Sequence, residues 1–119
     1  MPPASAKTVL VVEDQPDVRS VLARALSLEG YRVLEASDGL EAMEVITAEH
    51  EIDLVLSDIV MPRMDGMQLA KNLAGSTPIL LMTGDSQQRW DDHITAPLLQ
   101  KPFTPAALCS EVRRLLDRQ

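Results

Sequence analysis

A single cysteine, Cys109, in 119 residues excludes an internal disulfide and any cysteine-based metal cage. Basic charge is also scarce: 11 lysines and arginines face 18 acids, a formal net charge of −7. Binding to a phosphate backbone needs a basic surface, so this balance argues against direct contact with nucleic acid. Arg113, Arg114 and Arg118 do cluster near the C-terminus, but among acids, as cations do in the last turns of a helix. No apolar run approaches the roughly 20 residues that span a bilayer, so no membrane segment is expected. Residues 1–8 lack the charged start and apolar core of a secretory signal, and a cytoplasmic chain is the expectation. What is present is an ordinary globular composition, 45% hydrophobic and 24% charged, in a length suited to one domain.

Four short apolar runs stand out: Val9 to Val12, Ile52 to Leu56, Ile79 to Met82 and the weaker Leu98-Leu99. Continuous rather than alternating apolar residues predict strands covered on both faces, as in a parallel sheet. Tyr31 to Glu35 is a fifth, more mixed strand, expected nearer an edge. Helical patterns lie between these runs. Val18, Val21, Leu22, Ala25 and Leu26 repeat at helix spacing, with Pro16 near the start and Gly30 just past the end. Asp38 and Glu41 form a capping-box-like start for a helix through about Ala48. A third helix is predicted from Asp65 or Gly66 to about Leu73. A last one opens at Thr104-Pro105, with Leu108, Val112, Leu115 and Leu116 on its buried face. The weakly patterned Ser86 to Thr95 is assigned one short, irregular helix. Five β-α units with short connections imply right-handed crossovers and an α/β fold with helices on both faces of the sheet. A flexible tail over residues 1–7 and a single domain over 8–119 complete the expected organisation.

In an open parallel sheet, sites form beyond the carboxyl ends of the strands, near the point where strand order reverses. Here those ends carry Glu13-Asp14, Ser57-Asp58, Thr83-Gly84 and Gln100-Lys101. Three carboxylates, a hydroxyl and an ammonium are thereby expected on one rim. Clustered carboxylates repel one another and need compensation. A divalent cation supplies it, and oxygen-only ligands favour Mg²⁺, Ca²⁺ or Mn²⁺ over zinc. A carboxylate beside such a cation can act as nucleophile toward a phosphoryl group, forming an aspartyl phosphate.

The segments Val9-Leu10-Val11-Val12-Glu13-Asp14, Ser57-Asp58-Ile59-Val60-Met61-Pro62-Arg63-Met64-Asp65-Gly66, Leu81-Met82-Thr83-Gly84 and Gln100-Lys101-Pro102-Phe103 resemble, in this order, the receiver domains of response regulators. The resemblance runs from Thr8 to the C-terminus. It implies a flavodoxin-like (βα)5 fold, a doubly wound five-stranded parallel sheet in the order 2-1-3-4-5. It implies Asp58 as phosphoacceptor, Asp14 as a direct Mg²⁺ ligand, Glu13 as an acid acting through water and Val60 as a backbone carbonyl donor. Thr83 is implied as the hydroxyl that moves toward the phosphoryl group, Lys101 as the ammonium paired with Asp58, and Gly84 as the small residue leaving the phosphate face open. A cis Lys101-Pro102 peptide is implied as well. Mg²⁺ is the implied cofactor, with Mn²⁺ able to replace it.

Two features depart from that pattern. Leu98 stands where many members carry Tyr or Phe, whose ring swings inward when the hydroxyl moves, so a Thr83-Leu98 switch lacks its ring. Thr83 and Lys101 are only 18 positions apart, several fewer than usual, which shortens the helix before the fifth strand. Shortened helices of this kind resemble receivers attached to hybrid histidine kinases and some stand-alone ones. The expected function is a phosphorylation-dependent switch, not a conventional enzyme. Its phosphoryl donor is a sensor histidine kinase or a histidine phosphotransfer protein. Output runs through contacts with an unnamed downstream protein or through phosphorelay. An interaction module indifferent to phosphorylation is one rival. The other, a phosphohydrolase working through an aspartyl phosphate, lacks the usual second acid, because Val60 holds that position. His50 and His93 are read as solvated, and Met61, Met64 and Met67 as packing residues. Trp90 is assigned to a partner contact or to filling the gap left by the short helix. The oligomeric state is left open.

Overall fold

The computed structural model describes residues 6–48, 51–61, 63–73, 76–84 and 96–117. Its strands are β1 (Thr8–Val12), β2 (Arg32–Ala36), β3 (Leu54–Asp58), β4 (Ile79–Thr83) and β5 (Leu98–Gln100). Its helices are α1 (Pro16–Leu28), α2 (Gly39–Ala48), α3 (Gly66–Leu73) and α4 (Pro105–Asp117). All strand pairs are parallel, and the sheet order is β2-β1-β3-β4-β5. The flavodoxin-like expectation is met. The short helix expected over Ser86 to Thr95, with Trp90 and His93, falls outside the described residues, as do His50 and residues 1–5 of the expected tail.

Period-two alternation along the strands splits the core into two layers. Leu10, Val12, Val55, Ile79 and Leu81 face α2 and α3, joining Ala42, Leu69 and Leu73. Val9, Val11, Leu54, Leu56, Leu80 and Met82 face α1 and α4, joining Leu22, Leu26, Leu108 and Val112. The runs that form β1, β3 and β4 are continuous because both of their faces are covered. The mixed β2 is an edge strand, as its sequence suggests, and β5 forms the other edge.

Local chemistry sets the helix ends. Asp65 Oδ1 accepts the Gln68 amide at 2.9 Å while Gln68 Oε1 accepts the Asp65 amide at 3.2 Å, a reciprocal capping box opening α3. Thr104 Oγ1 accepts the Ala107 amide at the start of α4. Gly30, at φ +95°, follows α1 in the left-handed region where glycine carries no Cβ penalty. One side chain departs from the helical reading: Val21 is 62% exposed. The buried stripe of α1 runs through Leu22, Ala23 and Leu26, and Val21 lies on the flank beyond it. Cys109, not counted on the inner face of α4, is buried there.

Candidate functional site

Parallel strands end on the same side, so the carboxyl ends of β1 and β3 bring their acids together. One carboxylate oxygen from each of Glu13, Asp14 and Asp58 lies within 4.8 Å of the others. Sequence separation is bridged by register: Val12 pairs with Ser57, and Asp58 with Met82. Lys101 reaches this cluster from the end of β5. Its Nζ lies 3.3 Å from Asp58 Oδ2 and 3.5 Å from Glu13 Oε1. The Lys101 amide donates to the Thr83 carbonyl at 2.7 Å, which fixes the lysine against the end of β4. Thr83 itself is buried. The Lys101-Pro102 peptide is cis, as the resemblance implies.

The acids differ in their surroundings. Glu13 is 1% exposed. Burial raises its carboxyl from an ordinary 4.5 to about 7, reinforced by its hydrogen bond with Asp14 and the charge of Asp58. The Gln15 amide, 3.4 Å from Glu13 Oε2, and Lys101 oppose that rise without cancelling it. Asp14 is exposed, and Asp58 is partly buried. An oxygen-only donor set with excess negative charge, running from buried Glu13 to exposed Asp14, suits a hard divalent cation. The residues therefore fit the divalent cation that the resemblance implies.

The remaining predicted residues take different places. Val60 turns its side chain to solvent, so only its backbone can serve the cluster. Gly84 is exposed, and a Cβ there would sit 3.8 Å from Lys101 Cδ, an ordinary contact that leaves room for alanine. Leu98, on the edge strand, is 46% exposed. Ser57 is fully buried, and its hydroxyl donates to the Asp58 carbonyl at 2.9 Å.

Two features of the loop after Asp58 went unread in the sequence. Gly66 packs against the backbone of Asp58 and Ile59: a Cβ there would meet the Asp58 carbonyl oxygen at 2.4 Å. Its amide donates to the Ile59 carbonyl at 2.8 Å, closing the loop on itself. The Asp65-Gly66 pair marks a turn in sequence, but only the fold shows what backbone it must clear. The second feature is Arg63, which binds the carboxylate of Asp38, 25 residues away, with Nε at 2.7 Å and Nη2 at 2.5 Å. Asp38 reads as a helix cap in sequence, and nothing in local spacing signals this second role.

A family model described as the response regulator receiver domain matches residues 9–113. Sensor kinase CckA of Brucella abortus (strain 2308) is 36% identical over 124 residues, covering 98% of this chain and 13% of the kinase. Response regulator MprA of Mycobacterium tuberculosis (strain ATCC 25618 / H37Rv) is 39% identical over 117 residues, covering 92% of this chain and 50% of the regulator. The chain thus spans half or less of the length of these relatives. Among solved structures, the receiver domain from hybrid histidine kinase CckA matches with a TM-score of 0.77 at 36% identity, covering 92% of this chain and 98% of that one. Chemotaxis response regulator CheY4 of Vibrio cholerae matches with a TM-score of 0.84 at 29% identity, covering 93% and 99%. With its parallel sheet, its acid cluster and these matches, the chain belongs to the response regulator receiver domain family.

Proposed function

We propose that this domain is a phosphorylation-operated switch in which Asp58 accepts a phosphoryl group from the phosphohistidine of a sensor histidine kinase or a histidine phosphotransfer protein. The observation that carries the reading is the company Asp58 keeps: two further carboxylates within 4.8 Å and an ammonium at 3.3 Å. In the transfer, an Asp58 carboxylate oxygen forms the new O–P bond as the N–P bond of the phosphohistidine breaks, and the freed imidazole keeps the electron pair. Glu13, Asp14, Asp58 and the Val60 carbonyl would hold Mg²⁺, or Mn²⁺ in its place. When bound, that ion supplies charge neutralisation for the incoming phosphoryl oxygens. Lys101, already within reach of Asp58, pairs with the phosphoryl oxygens once they arrive. The buried Thr83 hydroxyl is assigned the response to phosphorylation, and Gly84 leaves the approach open.

Output is assigned to contacts with a downstream protein or to onward phosphorelay, with Leu98 offering the Thr83 response no ring to move. Similarity to the receiver of a kinase and to response regulators supports a histidine kinase as the upstream partner.

The test is intact mass after incubation with acetyl phosphate, with and without Mg²⁺, on the wild type and Asp58→Asn. One phosphoryl group added only to the wild type, and only with Mg²⁺, is the expected result. Failure of the wild type to gain mass, together with failure to bind beryllofluoride with Mg²⁺, would overturn the reading in favour of an unphosphorylated interaction module.

A further inference from the structure

The loop between Asp58 and α3 is held from outside by a corner that belongs to another part of the chain. Asp38, just before α2, is 5% exposed. Both of its oxygens are engaged: Oδ1 accepts the Glu41 amide at 2.9 Å and caps α2, and Oδ2 accepts Arg63. Arg63 takes φ +63°, a backbone region that a residue with a Cβ adopts only when its surroundings insist. Beside it, the Gly39 amide donates to the Met64 carbonyl at 3.0 Å, and a Cβ on Gly39 would lie 2.4 Å from that oxygen. The same corner is tied to the acid cluster from the other side. The Glu13 amide donates to the Ala36 carbonyl at 3.1 Å, and Arg19 Nη1 donates to the Glu13 carbonyl at 2.9 Å. The Glu13 backbone is thus hydrogen-bonded to the end of β2, the strand that leads into Asp38.

We infer that the Asp38–Arg63 pair is a positioning device for the cation pocket, fixing the loop after Asp58 so that its backbone presents oxygen toward Glu13 and Asp14. The inference rests on the reading of that pocket as a divalent-cation site. Neither Asp38 nor Arg63 belongs to the acid cluster, so they act through the backbone between Ile59 and Gly66. The Ile59 amide is anchored on the Met82 carbonyl at 3.0 Å and Met61 is buried, and among the described residues of the loop Arg63 is the one held by a side-chain ion pair. Partners of this kind set cation affinity without touching the ion, because they remove the freedom that a donor loop would lose on binding.

The test titrates the full chain with Mn²⁺ and reads the free ion by electron paramagnetic resonance, with amide hydrogen exchange at Gly39 and Gly66 followed in parallel. Asp38→Asn keeps a side chain that caps α2 as well as aspartate does while discharging the pair. Arg63→Gly removes the guanidinium and suits the positive φ, so it leaves the fold least disturbed. Each is expected to weaken Mn²⁺ binding by about tenfold, the low end of the range for outer partners of a metal site. The double variant is expected to lose no more than either single one, and exchange at Gly66 should quicken in all three. Arg113→Ala breaks an ion pair remote from the pocket whose arginine is similarly exposed, 59% against 57%, and should leave the affinity unchanged. Wild-type affinity in both single variants, or equal losses in Arg113→Ala, would overturn the inference. Absence of any Asp58-dependent Mn²⁺ binding in the wild type would instead overturn the reading of the pocket, and the inference with it.

Discussion

Glu13 and Asp38 follow the ends of the paired strands β1 and β2, and both are almost sealed from solvent, yet their carboxyls shift in opposite directions. Burial pushes Glu13 up to about 7, and the neighbouring acids Asp14 and Asp58 add to the rise. Asp38 is held below its ordinary value, first by the backbone amide of Glu41 and then by Arg63, although burial pulls the other way. The carboxyl chemistry is the same in both, and the difference lies in what meets the charge. At Asp38, a helix N-terminus and a guanidinium meet it fully, and the residue is architecture. At Glu13, Lys101 stands 3.5 Å away and is shared with Asp58, so negative charge is left over for something that the protein chain does not itself supply. Unmet charge held in place by a rigid sheet end is what marks the functional region.

The contrast can be broken most forcefully at Asp38. Asp38→Ala should destabilise the fold by about 2 kcal/mol, chiefly through the lost helix cap, since the half-exposed Arg63 is taken up by water. Urea unfolding at neutral pH measures it, and a loss comparable to that of an exposed pair would erase the distinction.

At Glu13 the sign reverses. Glu13→Gln should stabilise the cation-free protein by about 1–2 kcal/mol at pH 8, because it removes a charge the fold disfavours. With the folded value near 7 and the ordinary value at 4.5, the folded state binds the extra proton between these pH values. Wild-type stability should therefore fall as pH rises through that window, and Glu13→Gln should flatten the decline. Saturating Mg²⁺ should offset the decline, since only the ionised carboxylate is a donor. A wild-type profile that climbs from pH 4.5 to 7 without cation would refute the assignment. Asp38 contributes in the opposite sense: its stabilisation is present above its ordinary value and fades as pH falls through its lowered one.

The smallest effect sharpens the comparison by its absence. Arg113→Ala, which breaks the pair with Glu29 across α1 and α4, should change unfolding stability by less than about 0.5 kcal/mol. Both of its partners are solvated, so salt and water already do most of what the pair does.

Much of this was legible in the chain. The apolar runs became β1, β3 and β4 because a strand covered on both faces has no polar side to show. Asp38-Glu41, Asp65 and Thr104-Pro105 opened helices because capping is a contact over three residues. The acids at strand ends could be placed on one rim because parallel strands finish on one side. Val21 lies outside the buried face of α1 because helical spacing names a stripe only to within its edges, and the neighbours that cover that stripe come from elsewhere.

The sequence by itself determined the order of elements, the ends of the helices and the list of acids and cations available to the rim. These depend on residues within about one helical turn or one strand of each other, and on the fixed hand of the crossovers. Only the tertiary structure decided that Arg63 binds Asp38 and that Gly66 must clear the Asp58 carbonyl. It also decided that Glu13 is raised while Asp38 is lowered. The energy of a charge depends on solvent excluded and partners gathered through space, and neither quantity exists until the chain has folded.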